Sequence, residues 1–390
     1  MFGAEYVVDG PLTKAEADIE EALYALSKPF AQRMETCIQR YKARRKFDAF
    51  RINIFNSYLR LGGVQTGQKQ YSGGIDPKKM DDLDAEQIGL LAATDFITFN
   101  DNGGDDAQEY DVDFAFVVRG FLSYKVPYGL GIRKVPELEM ACQVVRNFLN
   151  YVIYHNVCPE YIDNIKEAIE LCNLAEKELV LCIHVSNLLP GSWNMACSTI
   201  YGGSYAGIFD PEATWDDTDR SLMAGLDPKM AKELILVGLN RRGTPEQIAR
   251  GLDRKLTEFK HFLSLEVLEV VMPGPSPPLP ENADMALPDN KYFRNTQALG
   301  YLKVTPWVAE EPFKEDQLNV EDRLRGLEII IWLEKICLQY CFPGMHVEAK
   351  VHQFDDGLIF IDSVTGVLCS FFMRLEYPKE DKDKDGDFSD

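Results

Sequence analysis

Five prolines, Pro29, Pro136, Pro159, Pro228 and Pro245, each stand at the head of a stretch that reads as a helix. Proline suits the first turn, where its missing N–H has no partner to lose, and it breaks a helix interior. The chain is thereby divided into many helices of ordinary length. After Pro29, the residues Met34, Cys37, Ile38 and Tyr41 keep helical spacing. Phe47, Phe50, Ile54, Tyr58 and Leu61 continue it across a break, and Gly62-Gly63 ends it as a left-handed cap would. Pro136 opens a helix to about His155, with Leu138, Cys142, Val145, Leu149 and Val152 on one side; Pro159 opens another to about Val185. Shorter helices are expected over 11–26, where Thr13 and Glu16 form a capping box, and over 83–99.

Strands are expected at Phe114–Tyr124 and Leu265–Val271, and the stretch 186–216 reads as irregular. Glu321–Tyr340 reads as a strongly apolar helix. Beyond it, His346–Phe354, Leu358–Ile361 and Val367–Leu375 alternate like three antiparallel strands, with turns at Asp355-Asp356-Gly357 and Thr365-Gly366. The fold class that follows is α+β: a helix-rich body with a C-terminal antiparallel three-stranded sheet. The expected divisions are a basic helical module at 1–75, a helical or α+β core at 76–272 and a Pro-rich linker at 273–288. A helix-plus-sheet region at 289–378 and a disordered acidic tail at 379–390 complete them.

Charge gives the first functional signal. The chain carries a formal net charge of −21, yet residues 33–60 hold eight Lys or Arg against Glu35 and Asp48. That local +6 leaves −27 on the rest (−21 − 6 = −27). A sign reversal of this size makes a contact surface for an anionic partner, or else the solvated face of an amphipathic helix. The candidate contact residues are Arg40, Lys42, Arg44, Arg45, Lys46 and Arg51, with Tyr41 and Phe47 either as anchors or as core. Bulk acidity argues against phosphate binding by the surface as a whole.

At 390 residues, 46% hydrophobic and 26% charged, the chain is long enough for a large core. No apolar run approaches the ~18–20 residues of a membrane helix. No signal peptide or Asn-X-Ser/Thr acceptor is visible, and the nine scattered cysteines form no CxxC pair. Buried reduced thiols inside the cell are the expectation.

Motifs for chemistry are weak. Asp381, Asp383, Asp385 and Gly386 match the start of an EF-hand loop, but the chain stops before the twelfth-position glutamate. Gly202-Gly203-Ser204-Tyr205-Ala206 approximates a nucleophile elbow, with Asp210-Pro211 where its helix should start. His155 with Cys158 is a possible Cys–His pair, and Cys337, Cys341, His346 and His352 a possible zinc set that core packing explains better. Phosphate-loop and Rossmann patterns are missing. No cofactor, metal or catalytic residue is expected. A binding or scaffold protein stands ahead of a Ser or Cys hydrolase.

One family pattern runs through most of 5–375. Its first block is Pro29-Phe30-x-x-Arg33-Met34-Glu35-x-x-Ile38-Gln39-Arg40-Tyr41-x-Ala43-Arg44-Arg45. Phe55-Asn56-x-Tyr58-Leu59-x-Leu61-Gly62-Gly63-Val64, Asp84-Ala85-Glu86-x-Ile88 and Ala93-Thr94-Asp95 follow. Phe148-Leu149-Asn150-Tyr151, Val157-Cys158-Pro159-Glu160-Tyr161 and Cys172-x-Leu174-Ala175-Glu176-Lys177-Glu178-Leu179 continue the order. Asn194-x-Ala196-Cys197-Ser198, Tyr201-Gly202-Gly203-Ser204-Tyr205-Ala206-Gly207 and Pro343-Gly344-Met345-x-Val347-Glu348 complete it. In this order the blocks resemble the Argonaute-binding subunit family of the fungal Argonaute siRNA chaperone (ARC) complex.

The resemblance implies a non-enzymatic protein that holds Argonaute while it carries duplex siRNA. Such a subunit restrains passenger-strand release and supports RNA-directed heterochromatin and histone H3 lysine 9 methylation. The implied partners are an Argonaute protein and a second Argonaute-binding ARC subunit, with siRNA reached indirectly through Argonaute and no membrane. The implied location is the nucleus, with the cytoplasm as a second compartment. Relatives often carry a long basic N-terminal extension, whereas here the core begins almost at Met1. The loop Gly202, Gly203, Ser204 and Tyr205, with Trp193 and Trp215 nearby in sequence, is a second candidate surface. The scaffold of another nuclear assembly is the remaining alternative.

Overall fold

The computed structural model describes residues 13–66, 96–97, 112–209, 226–274, 291–307 and 326–375. Most of the helix expected over 83–99, most of the Pro-rich linker, Asp210-Pro211, Trp215 and the EF-hand-like tail lie outside the described residues; the described pair within 83–99, Phe96–Ile97, is strand and not helix. The chain divides into two compact units, 1–177 with 371–390, and 178–370.

The first unit is helical. It contains α1 (Lys14–Leu23), α2 (Phe30–Arg44), α3 (Ala49–Leu61), α4 (Phe114–Gly120), α5 (Val135–Tyr154) and the start of α6 (Ile162–Leu188). A two-stranded ladder pairs β1 (Val64–Gln65) with β2 (Phe96–Ile97). The basic stretch is two helices, because Arg45 turns extended and Asp48 caps α3 by accepting the Arg51 N–H at 2.8 Å. Gly63 takes a positive φ of 83° and closes α3, as the glycine pair suggests. The core is aromatic: the Tyr41 ring lies 5.3 Å from Phe55, 5.3 Å from Phe148 and 5.0 Å from Tyr151.

The strand expected at Phe114–Tyr124 is instead helix. Asp113 caps α4 by accepting the Phe116 N–H at 2.9 Å, and α4 runs on as a π-helix, Phe121–Gly129. A short apolar run does not distinguish a buried strand from a buried helix, and here the cap decides.

The second unit contains α7 (Ser192–Ile200), α8 (Pro228–Arg242), α9 (Pro245–Arg250), β3 (Leu256–Val271), α10 (Lys291–Thr296), β4 (Leu299–Pro306), β5 (Ile329–Glu334), α11 (Lys335–Leu338), β6 (His346–Phe354) and β7 (Ile359–Leu368). Its strands close into a barrel in the order β3-β4-β5-β7-β6. All neighbours are antiparallel except β5 and β7, whose parallel seam has one registered pair, Ile331 with Ile359. Leu265, Leu302, Ile331, Val347, Ala349 and Ile361 are buried and alternate with outward residues.

This barrel replaces the expected three-stranded antiparallel sheet. Glu321–Tyr340 is not one helix: within its described part, Ile329–Glu334 is a strand and Lys335–Leu338 a single helical turn. All of that strand but Ile330 is buried, so it shows no period-two alternation in sequence. The turn at Asp355-Asp356-Gly357 is present, with Gly357 at φ 87°. The one at Thr365-Gly366 is not, because β7 runs straight through it. A Cβ on Gly366 would sit 2.5 Å from the Glu348 carboxylate of β6, so that glycine serves close strand approach. The irregular stretch expected at 186–216 contains α7.

Counted from its own first strand, the barrel order is 1-2-3-5-4, with a helical turn between the third and fourth strands. That is the connectivity of an OB-type Greek-key barrel. The outward face of such second and third strands commonly receives oligonucleotides. Here Tyr301 and Trp332 on that face are covered by helices of the same unit. The Arg242 guanidinium lies 4.2 Å from the Tyr301 ring, and the Trp193 ring 4.9 Å from Trp332.

Candidate interaction surfaces

The basic elbow between α2 and α3 is partly internal. Arg33 is buried and pairs with Glu160, while also donating to the Val157 carbonyl at 2.7 Å. Arg45 is half-buried, its guanidinium 4.8 Å from the Tyr41 ring and 5.7 Å from Tyr151. Lys42 donates to Asn56 Oδ1 at 2.9 Å and lies over Phe55, and Arg40 lies 6.0 Å from the Tyr24 ring. Arg51 pairs with Asp48. Arg44 and Lys46 are the exposed members. Tyr41 is buried core, whereas Phe47 is half-buried and stacks on Phe55 at 5.5 Å.

The glycine loop is folded onto the barrel. Asp362, on the outer side of β7, is fully buried. Its Oδ1 accepts the Ser198 hydroxyl at 2.5 Å and the Ser204 N–H at 2.6 Å. Its Oδ2 accepts the Ser204 hydroxyl at 2.7 Å and the Lys350 ammonium at 2.8 Å, with His352 Nε2 at 3.3 Å. Ser198 Oγ in turn accepts the Tyr205 N–H at 3.0 Å. A Cβ on Gly203 would lie 2.2 Å from Asp362 Oδ1 and 2.4 Å from Ser198 Oγ, so only glycine lets the loop approach. Gly202 takes φ 77°, the left-handed region glycine favours. Burial alone would raise the Asp362 carboxyl, but Lys350, Ser198 and Ser204 outweigh it and hold it well below the usual carboxylate range.

Ser204 is therefore a ligand of a buried, ionised aspartate. A carboxylate held so low is a weak base toward a serine hydroxyl. The Cys158 thiol is pushed up to about 12, by burial first and then by Glu160, which keeps it protonated near neutrality. The sulfur and imidazole groups of the possible zinc set go to different places. Cys337 Sγ lies 3.8 Å from the Leu188 carbonyl and Cys341 Sγ lies 3.4 Å from the Cys337 carbonyl. His346 stacks on Trp307 at 4.0 Å and His352 on Phe360 at 5.4 Å. Among the described residues, no three His, Cys, Asp or Glu are placed to share a metal.

Two further anchors hold α7 to the barrel. Asn194 is fully buried at the parallel β5–β7 seam. Its amide donates to the Trp332 carbonyl at 2.9 Å and accepts the Ile361 N–H at 3.0 Å, supplying bonds across a seam that has little ladder of its own. Glu334 Oε1 accepts the Trp193 N–H at 2.7 Å, where the first turn of α7 has no intrahelical acceptor. Burial pushes the Glu334 carboxyl up to about 7 against the lowering effect of backbone donors at Trp193 and Ser192. Asp362 and Glu334 stand in no recognisable motif, and Asn194 opens a family block that gives no sign of its partners. Their partners lie about 140–170 positions away, and only the pattern of single polar residues within apolar segments could have pointed to them.

The family model described as "Argonaute siRNA chaperone (ARC) complex subunit Arb1" matches residues 3–379. Argonaute-binding protein 1 of Schizosaccharomyces pombe is 34% identical over 383 residues, covering 96% of this chain and 90% of that protein. No solved structure matches. With a family match over nearly its whole length and a relative this similar, the chain belongs to the Arb1 family of ARC complex subunits.

Proposed function

We propose that this chain is a non-enzymatic, Argonaute-binding subunit of an ARC-type assembly. The observation that carries the reading is the family match over residues 3–379, joined by the name of the fission-yeast relative. The site geometry supports it from the chemical side. The serine of the elbow-like sequence is bound through both its hydroxyl and its N–H to an ionised aspartate, and so serves the fold.

In this reading the subunit grips Argonaute together with a second Argonaute-binding subunit. It holds the state loaded with duplex siRNA, slows passenger-strand release and supports heterochromatin formation from the nucleus. A partner need only favour one conformational state to do this. The acidic body suits steering toward a basic RNA-binding protein, with the exposed Arg44 and Lys46 of the elbow as a local counterpoint.

The test is co-purification of the full chain with Argonaute from its own cells, followed by mass spectrometry. Recovery of Argonaute is expected, and Arg44→Glu with Lys46→Glu should reduce it. Absence of every Argonaute from the intact complex would overturn the reading. Unchanged recovery with the double variant would remove the elbow from the interface.

A further inference from the structure

The segment from Phe114 to Pro136 carries Arg119, Lys125, Arg133 and Lys134 and no acidic residue, in a chain whose net charge is −21. It folds as α4 and the π-helix. The wider i→i+5 turn of a π-helix puts residues four apart nearly in line, and such turns recur at functional sites. Tyr124 and Tyr128 lie 5.7 Å apart in this way. A second piece of chain completes the surface. Gly120 has no Cβ, and one would lie 2.6 Å from Leu375 and 2.8 Å from Met373, so the segment 371–375 crosses the helix there. The Met373 N–H donates to Ser123 Oγ at 3.0 Å and fixes that crossing. The result sets Phe372 at 6.2 Å from Tyr124 and 6.3 Å from Tyr128, edge-on to the latter.

The outcome is three aromatic rings among cations. Tyr128 is 42% exposed, and Phe116, one turn before Arg119 on α4, is 55% exposed. Arg119, Arg133, Lys134 and Arg374 are exposed, and the Arg133 guanidinium lies 6.0 Å from the Tyr128 ring. Lys134 pairs with Glu137 at 3.4 Å, so Arg119 and Arg133 are the candidate cations for contact. Solvent-facing rings with arginines beside them are how single-stranded nucleic acid is held: bases stack on the rings and phosphates meet the cations. An acidic peptide would use the cations but would gain little from the ring faces. The barrel, despite its connectivity, has its corresponding face covered by Arg242 and Trp193.

We propose that the surface formed by Tyr124, Tyr128, Phe372, Arg119 and Arg133 binds single-stranded RNA directly. The contact is sequence-tolerant, with a base stacked on Tyr128 and flanking phosphates on Arg133 and Arg119. This goes beyond the Argonaute-binding reading and does not depend on it. Capture of Argonaute after nuclease treatment tests that reading alone, so either idea can fail while the other stands.

The experiment is fluorescence anisotropy of a short labelled oligouridine titrated with the purified full chain over a range of salt. Binding is expected at low salt and should weaken as salt rises. Tyr128→Ala should weaken it roughly tenfold and Tyr128→Phe should restore it, because the stacking ring returns. Arg133→Glu should lower affinity and reduce the salt slope by about 1. Lys229→Glu, a change of the same charge in the other unit, should leave binding unchanged. No salt-sensitive binding, Tyr128→Ala binding like the parent chain, or equal loss in Lys229→Glu would each overturn the proposal. So would displacement of the oligonucleotide by an oligoglutamate peptide that binds Tyr128→Ala equally well.

Discussion

The two units differ in emphasis in how they use charged residues, although Arg33 pairs with Glu160 in the helical unit and Arg242 lies over Tyr301 in the barrel unit. In the helical unit, cations lie against rings: Arg45 on Tyr41 and Tyr151, Arg40 on Tyr24, Arg133 on Tyr128. In the barrel unit, buried polar side chains fasten helix to strand: Asp362 to Ser198 and Ser204, Asn194 across the β5–β7 seam, Glu334 to the start of α7. A cation over a ring asks for little directionality and keeps its charge over a wide pH range. A buried carboxylate needs specific donors and titrates. Loss of a ring should therefore weigh most on the helical unit, while the buried carboxylates should make the barrel unit the more pH-sensitive of the two.

All four tryptophans, Trp193, Trp215, Trp307 and Trp332, fall within 178–370, so tryptophan fluorescence reports the barrel unit alone. The largest contrast is expected from Phe148→Ala. This ring touches Tyr41, Phe55 and Tyr58, and its loss should cost about 4 kcal/mol in urea unfolding followed by far-UV circular dichroism. The tryptophan-detected transition should move much less; an equal shift in both signals would erase the distinction between the units. Next comes Asn194→Ala, which strands the Ile361 N–H and the Trp332 carbonyl. A loss of about 3 kcal/mol is expected in the tryptophan-detected transition. Gly203→Ala should follow, at roughly 2 kcal/mol, as its Cβ forces the loop off Asp362. Unchanged stability there would mean the loop yields freely.

The last effect is a slope in pH and not a step in stability, small over any single pH unit, and it is the most diagnostic. Glu334 binds a proton more tightly folded, at about 7, than unfolded, at about 4.3. The native state therefore holds the extra proton between those values, and stability from this group falls as pH rises through the window. The limiting slope is about 1.4 kcal/mol per pH unit. Glu334→Gln should flatten that slope in the tryptophan signal, and an unaltered slope would assign the dependence elsewhere. Asp362 has the opposite sign: held low, it stabilises above about pH 3.9 and loses that contribution only as acid protonates it below.

Sequence patterning located most helices, because their apolar spacing and proline starts are local signals. Val135–Tyr154 and Pro228–Arg242 fall where Pro136 and Pro228 place them. It failed at Ile329–Glu334, where nearly uniform burial removes the alternation that marks a strand, and at Phe114–Gly129, where a short apolar run fits either state. The candidate surfaces were half visible. The basic run at 33–60 is plain in the residues, yet which cations rest on rings depends on Tyr24 and Tyr151, outside that run. Gly203 and Ser204 stood out as an elbow. Their role rests on Asp362, a single aspartate in an apolar strand with no local mark.

Because Asn194 supplies the bonds across the β5–β7 seam, the five strands do not make a self-sufficient excisable module. A fragment begun at Leu256 would carry the whole strand set and lack its stitch, leaving the Trp332 carbonyl and the Ile361 N–H without the partner that Asn194 provides. Any soluble barrel piece must start upstream of Ser192.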